Sequence, residues 1–270
     1  MTTRTAGTAL ELVYERRGRG EPLVLLHGIG HHWQAWEPVL DAVAAHRDVI
    51  AVDLPGFGRS PAFPADLPAT PDSMAEIFAG FFAELGLDRP HLAGNSLGGF
   101  TGLVLAQRGL ARSVTALSPA GFWSPAERSY ALALLAAFRF GATRVPERVV
   151  RWLVGSQAGR CLLTGLVYAR PELRTASMVA AEIAALRTAT AFETVMAVAR
   201  HTEFSGLPPE VPVTIAWGTR DRLLLPTQAH RAARAIPGAR LVPLPGCGHV
   251  PMSDDPELVA RVVLMGSRSR

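Results

Sequence analysis

The most specific chemical arrangement in the chain is a serine set among glycines, Gly94-Asn95-Ser96-Leu97-Gly98-Gly99. It follows the apolar run 91–94 and precedes a helical pattern over 98–108, so the G-x-S-x-G spacing falls between strand and helix, where it has mechanical meaning. A serine at the apex of so sharp a turn has a strained backbone and an exposed hydroxyl. Small residues at Gly94 and Gly98 let the turn close, and the next helix aims its first N–H groups where an oxyanion would develop. That is the chemistry of nucleophilic attack on a carbonyl, and it needs a base held by an orienting group. Of the eight histidines, His249 lies in Pro245-Gly246-Cys247-Gly248-His249-Val250-Pro251, just past the last strand, where parallel strands end and sites form. His46 and His91 border strands, His230 lies within a helix and His201 ends one. His27, His31 and His32 have no carboxylate near them before Glu37 and do not read as a metal site. The orienting acid should close another strand. Residues 211–217 are followed by Gly218-Thr219-Arg220-Asp221, whereas no carboxylate follows 114–117 before Glu127, so Asp221 is the candidate. Asp53, at the end of a third strand, fits better as a hydrogen-bond acceptor for loop backbone.

These residues require a sheet to hold them. Short apolar runs at 10–14, 23–26, 49–54, 91–94 and 114–117 alternate with helical patterns, with a turn expected at 16–20 around Arg16, Arg17 and Arg19. One helix carries Ser73 and Glu76 at capping-box spacing ahead of an i, i+3, i+4 apolar stripe. Buried runs alternating with amphipathic helices predict a mostly parallel central sheet with helices on both faces. From 121 to 205 the pattern is helical (130–140, 146–153, 172–188, 192–201), and strands resume at 211–217 and 240–244 around a helix at 227–235. The expected organisation is a core of residues 1–120 and 206–270 interrupted by a helical cap at 121–205.

Composition narrows the chemistry. The chain has 270 residues, 49% of them hydrophobic and 19% charged, which suits one compact globule. All 27 basic residues are arginine, which excludes Schiff-base, pyridoxal phosphate and P-loop lysine chemistry. A net charge of +4 from scattered arginines predicts no nucleic-acid partner. No apolar run approaches the ~20 residues of a membrane span, and residues 1–7 are polar, so no membrane partner and a cytoplasmic location are expected. Cys161 and Cys247 fit neither a disulfide scaffold nor a zinc pattern and read as free thiols.

The strand-turn-helix around Ser96, the Ser96–Asp221–His249 order and the position of the helical insertion together resemble the α/β-hydrolases. The resemblance spans about 190 residues, both core segments of the chain. It implies that His27-Gly28-Ile29-Gly30 is the oxyanion loop, with Ile29 N–H and Leu97 N–H as the two donors. It also implies two-step acyl transfer with no metal and no organic cofactor, acting on a small-molecule substrate. Aspartate-dependent dehalogenases and epoxide hydrolases are disfavoured by Ser96, and lysine-dependent hydroxynitrile lyases by the absence of lysine. The expected activity is hydrolysis of a carboxylic ester, thioester or lactone of medium size and apolar character. Carbon–carbon bond hydrolases of aromatic degradation are the runner-up; cofactor-free perhydrolases and non-turnover receptors of the same fold are further alternatives. Trp33, Phe122, Trp123, Phe138 and Val250 are the expected pocket-lining residues.

Overall fold

The computed structural model describes residues 10–268. Seven strands form one sheet: β1 (Tyr14–Gly18), β2 (Pro22–Leu26), β3 (Asp48–Val52), β4 (His91–Asn95), β5 (Ser113–Leu117), β6 (Val213–Gly218) and β7 (Arg240–Leu244). Their spatial order is β1-β3-β2-β4-β5-β6-β7, with β1 antiparallel to β3 and every other pair parallel. The helices are α1 (Glu37–Ala44), α2 (Pro71–Glu84), α3 (Leu97–Gln107), α4 (Pro125–Arg144), α5 (Glu147–Val154), α6 (Gln157–Thr164), α7 (Ala176–Thr188), α8 (Phe192–Ala199), α9 (Gln228–Ala235), α10 (Pro251–Asp254) and α11 (Pro256–Gly266).

The strands read as continuous apolar runs because both faces of the sheet are covered. Val24, Leu26, Ile50 and Val52 face a core shared with α2, α3 and α9, where Met74, Ile77, Phe78, Leu103 and Ala232 are buried. The alternate residues Leu23, Leu25, Val49 and Ala51 face the second core, built on Trp36, Leu40 and Val43 with Val259, Val262 and Val263 of α11. β4 and β5 lie centrally and are buried along their whole length. Helix α3 packs directly against both and is buried on almost every side. The nucleophile candidate therefore sits at the junction of a fully buried strand and an almost fully buried helix.

Helices α4–α8 all lie between β5 and β6. Glu127 ties this segment to the core. It accepts from Ser124 N–H in a capping box at the start of α4, and it pairs with Arg231 of α9 and Thr227. Burial alone would raise the Glu127 carboxyl, but Arg231 and the Ser124 donors hold it down at about 2.

Several local expectations need correction. The expected 16–20 turn is occupied largely by β1, in which Arg16 pairs with Asp48 while Arg17 pairs with Glu37 and Asp41. The α2 cap is Thr70, which accepts from Ser73 N–H at 3.2 Å, so Ser73 is inside the helix. Pro71 at the first helical position is the signal that marks that start. Helix α6 was not anticipated. The helix expected from 172 begins at Ala176, after a single 3-10 turn at Pro171–Leu173. Among the described residues no helix is long and apolar enough to cross a membrane.

Candidate active site

Ser96 occupies the turn between β4 and α3 with φ 56° and ψ −114°, a left-handed conformation that costs a non-glycine residue of order 1–3 kcal/mol. Surrounding contacts hold it there. Its N–H donates to Leu117 C=O (3.0 Å), and its own C=O accepts from Phe100 N–H (3.0 Å) and Ala120 N–H (3.1 Å). The flanking glycines are required by close approach: a Cβ on Gly94 would overlap the Gly98 carbonyl, and one on Gly98 would overlap the carbonyls of Leu26 and His27. Because α3 begins at Leu97, the Leu97 N–H is one of the first-turn donors without an intrahelical acceptor.

Asp221 and His249 come from the loops after β6 and β7. Gly246 N–H donates to Thr219 Oγ1 (2.9 Å) and Arg220 N–H to Cys247 C=O (2.9 Å), which stitches the two loops together. His249 Nδ1–H donates to Asp221 Oδ2 at 2.8 Å. The other carboxylate oxygen accepts from Leu223 N–H (2.9 Å) and Leu224 N–H (2.8 Å), so the Asp221 carboxylate is fixed in orientation. With Nδ1 committed as a donor, Nε2 is the free acceptor of the imidazole. Ser96, Asp221 and His249 are 6%, 3% and 3% exposed, and Ser96 and His249 line the same cavity.

That cavity is about 290 Å³, the size of a small-molecule site. Gly28, Ile29 and Gly30 line it together with Ser96, and a Cβ on Gly28 would stand 3.4 Å from that of Ser96. Phe138 and Val250 line it; the rest of the wall is mostly apolar, much of it from α4–α7. Trp33, Phe122 and Trp123 do not. Trp33 lies in the 3-10 turn Trp33–Trp36, its N–H donating to Asp53 and its side chain packing on the second core. Phe122 stacks on Phe204 at 5.1 Å and gives its carbonyl to Arg231. Trp123 donates to Thr202 C=O and borders a separate, smaller cavity with the Leu97 side chain. Both aromatics face the chain around Thr202 and Phe204. They anchor the start of the α4–α8 segment instead.

Four further residues shape the site. Asn95 donates to Leu117 C=O (3.2 Å) and His249 C=O (2.8 Å), linking the turn to the histidine loop. His27 accepts from Leu54 N–H at Nε2 (2.9 Å), which leaves Nδ1–H to donate to Gly28 C=O (2.7 Å). Burial lowers its pKa to about 4, so it holds the 27–30 loop as a neutral imidazole. Asp53 does bind loop backbone, accepting from Trp33 N–H (2.6 Å) and Arg59 N–H (2.9 Å). The buried carboxylate of Asp254 accepts from Gly248 N–H (2.7 Å), Ala169 N–H (3.1 Å) and Arg170 N–H (2.8 Å), joining the histidine loop to the chain after α6. No local motif announces Asn95 or Asp254, because their partners lie up to 154 residues away in sequence. Cys247 is buried in the second core, and burial together with Asp254 pushes its thiol up to about 12, leaving a packing residue rather than a nucleophile.

Sheet order, a serine at the strand-turn-helix and a loop-borne histidine and acid define the α/β-hydrolase class. The chain belongs to the alpha/beta hydrolase family, whose model matches residues 23–262. Among characterised and uncharacterised relatives, it is 29% identical to the uncharacterized protein Rv2715 of Mycobacterium tuberculosis over 88% of this chain and 73% of that one. It is 40% identical to the 2-hydroxy-6-oxononadienedioate/2-hydroxy-6-oxononatrienedioate hydrolase of Burkholderia vietnamiensis over 37% of this chain and 36% of that one. A thermophilic esterase from Thermogutta terrifontis superposes with a TM-score of 0.71 at 24% identity, covering 98% of this chain and 95% of that one, which is a likeness of fold.

Proposed function

We propose that the protein hydrolyses carboxylic esters, thioesters or lactones of medium-sized apolar compounds through an acyl-enzyme on Ser96. The observation that carries this reading is the His249–Asp221 hydrogen bond of 2.8 Å beside a strained Ser96 at one wall of a largely apolar cavity. Ser96 Oγ attacks the carbonyl carbon while His249 Nε2 takes its proton. Asp221 fixes the imidazole and stabilises its cationic form. The tetrahedral oxyanion is received by Ile29 N–H and Leu97 N–H, each such donor being worth about 3 kcal/mol. Collapse expels the alcohol or thiol, which takes the proton from His249. Water then attacks the acyl-enzyme, giving its proton to His249 as it adds, and the acid leaves with Ser96 restored. These steps need only serine, imidazole and backbone amides. The test is steady-state hydrolysis of a p-nitrophenyl ester series of increasing acyl length, with Ser96→Ala in parallel. Multiple turnover that disappears in Ser96→Ala is expected; a folded wild type inert across the series would overturn the reading. The partial likeness to the Burkholderia hydrolase supports carbon–carbon bond hydrolysis as the second reading, and an inert wild type would move the weight to it.

A further inference from the structure

Beyond the triad, one cluster of charged groups is built into the cavity wall. Glu182 of α7 lines the cavity and is the one formally charged side chain among the described residues that do so. Its Oε1 accepts from Tyr168 OH at 2.7 Å and also from Arg174 Nη2. Arg174 is 6% exposed, stacks its guanidinium 4.4 Å from the centroid of the Tyr168 ring, and donates from Nη1 to Ser253 Oγ at 2.6 Å. The guanidinium thus stands behind Tyr168 and Glu182. His31, whose buried Nδ1 has no hydrogen-bond partner, lines the same cavity and is kept neutral by burial and by the neighbouring His32, His27 and Arg174.

A guanidinium stays protonated, and burying it without an anion is strongly unfavourable. An arginine near an apolar hydrolase cavity would ordinarily attract a substrate carboxylate. Here its charge is already met by a protein carboxylate, and that carboxylate stands between it and the ligand.

Resting on the ester-hydrolase reading of the same cavity, we propose that Glu182 is a specificity residue: it masks Arg174, so the site takes substrates whose enclosed part carries no carboxylate, and removing Glu182 opens it to acidic ones. A substrate carboxylate entering the wild-type cavity meets Glu182 and no free cation. In Glu182→Ala the same carboxylate takes the place of Glu182 Oε1 against Arg174, which is then its only counter-ion.

The comparison uses two esters of equal length, p-nitrophenyl hexanoate and mono-p-nitrophenyl adipate, on wild type, Glu182→Ala and Glu182→Gln. In the wild type kcat/KM for the neutral ester is expected to exceed that for the acidic one at least about 100-fold, the cost of leaving one buried charge unpaired. In Glu182→Ala that ratio should fall at least tenfold, through a lower KM for the adipate. Binding of methyl hexanoate and monomethyl adipate to Ser96→Ala, by calorimetry, reads the same preference without turnover. It separates failure of the proposal from failure of the ester-hydrolase reading, and it does not depend on the Glu182 variants folding. Equal or better use of the adipate ester by wild type, tighter binding of monomethyl adipate by Ser96→Ala, or a ratio unmoved in a folded Glu182→Ala would each overturn the proposal.

Discussion

Oγ of Ser96 is held by a backbone at φ 56°, and everything around it enforces that angle. At this scale the triad logic assigns Asp221 one task, to keep His249 Nδ1 protonated and Nε2 aimed at the serine. Asp221→Asn offers an amide whose N–H₂ can meet Nδ1 and favour the wrong tautomer. In the proposed reaction kcat should fall about 10⁴-fold with little change in KM, as the same exchange does in a serine protease triad. Steady-state kinetics of a folded variant checks it, and a loss confined to KM would contradict the assigned role. Ser96, His249 and Asp221 were legible because each sits in a local context with a chemical meaning: a glycine-flanked turn, a loop beyond the last strand, and the first carboxylate after β6. Asn95, His27 and Asp254 were not, since each acts by hydrogen-bonding chain distant in sequence. An amide or carboxylate reads the same in a sequence whether it faces solvent or the backbone of a distant loop.

The elements add a second layer of positioning. Asp254, at the end of α10, holds the loop that carries His249 against the chain after α6, and a Cβ on Gly248 would collide with Val167 and Ala169 there. His249 N–H itself donates to Val167 C=O at 2.8 Å. The histidine is therefore set by the α4–α8 segment as well as by the core. Asp254→Ala leaves three N–H groups, the buried one of Gly248 among them, without their acceptor and loosens the loop; a displacement of about 1 Å at a reacting group can cost 10²-fold. The expected result is a 10- to 100-fold lower kcat with Ser96 labelling slowed in proportion, together with a lower Tm. A lower Tm with unchanged kcat at a temperature where the variant is folded would reduce Asp254 to a structural role. Strands and long amphipathic helices were readable at this scale because burial on both faces writes continuous apolar runs. Two details were not: α6, Gln157–Thr164, contains Gly159 and is flanked by Gly155 and Gly165, which read as breakers, and the true start of α2 lay at Thr70-Pro71 rather than at the serine and glutamate that mimic a cap. The cavity wall was the least legible part. Its Leu135, Val150 and Ile183 come from three helices whose mutual packing no periodicity reports, whereas Phe122 and Trp123, conspicuous in the sequence, anchor the segment elsewhere.

For the whole molecule, the buried neutral His27 couples stability to pH. Its pKa is lowered from the usual 6.5 to about 4 in the folded state by burial. Above 6.5 neither state carries the proton and the full stability is present. As the pH falls from 6.5 towards 4 the unfolded chain binds a proton that the native protein refuses, so stability declines across that window, by on the order of 3 kcal/mol from this group. Thermal unfolding from pH 7.5 to 4 should therefore show a falling Tm that flattens in His27→Gln when the two proteins are compared as slopes rather than absolute values. Parallel slopes would remove His27 as a cause. The central claim, that the assembled sheet, loops and inserted helices make Ser96 a nucleophile driven by His249, is tested most directly by reaction with p-nitrophenyl diethyl phosphate. Intact-protein and peptide mass spectrometry should find one diethylphosphoryl group per chain, on Ser96, with one equivalent of p-nitrophenol released and no adduct in Ser96→Ala. A folded protein that stays unlabelled, or carries the label on another residue, would contradict it.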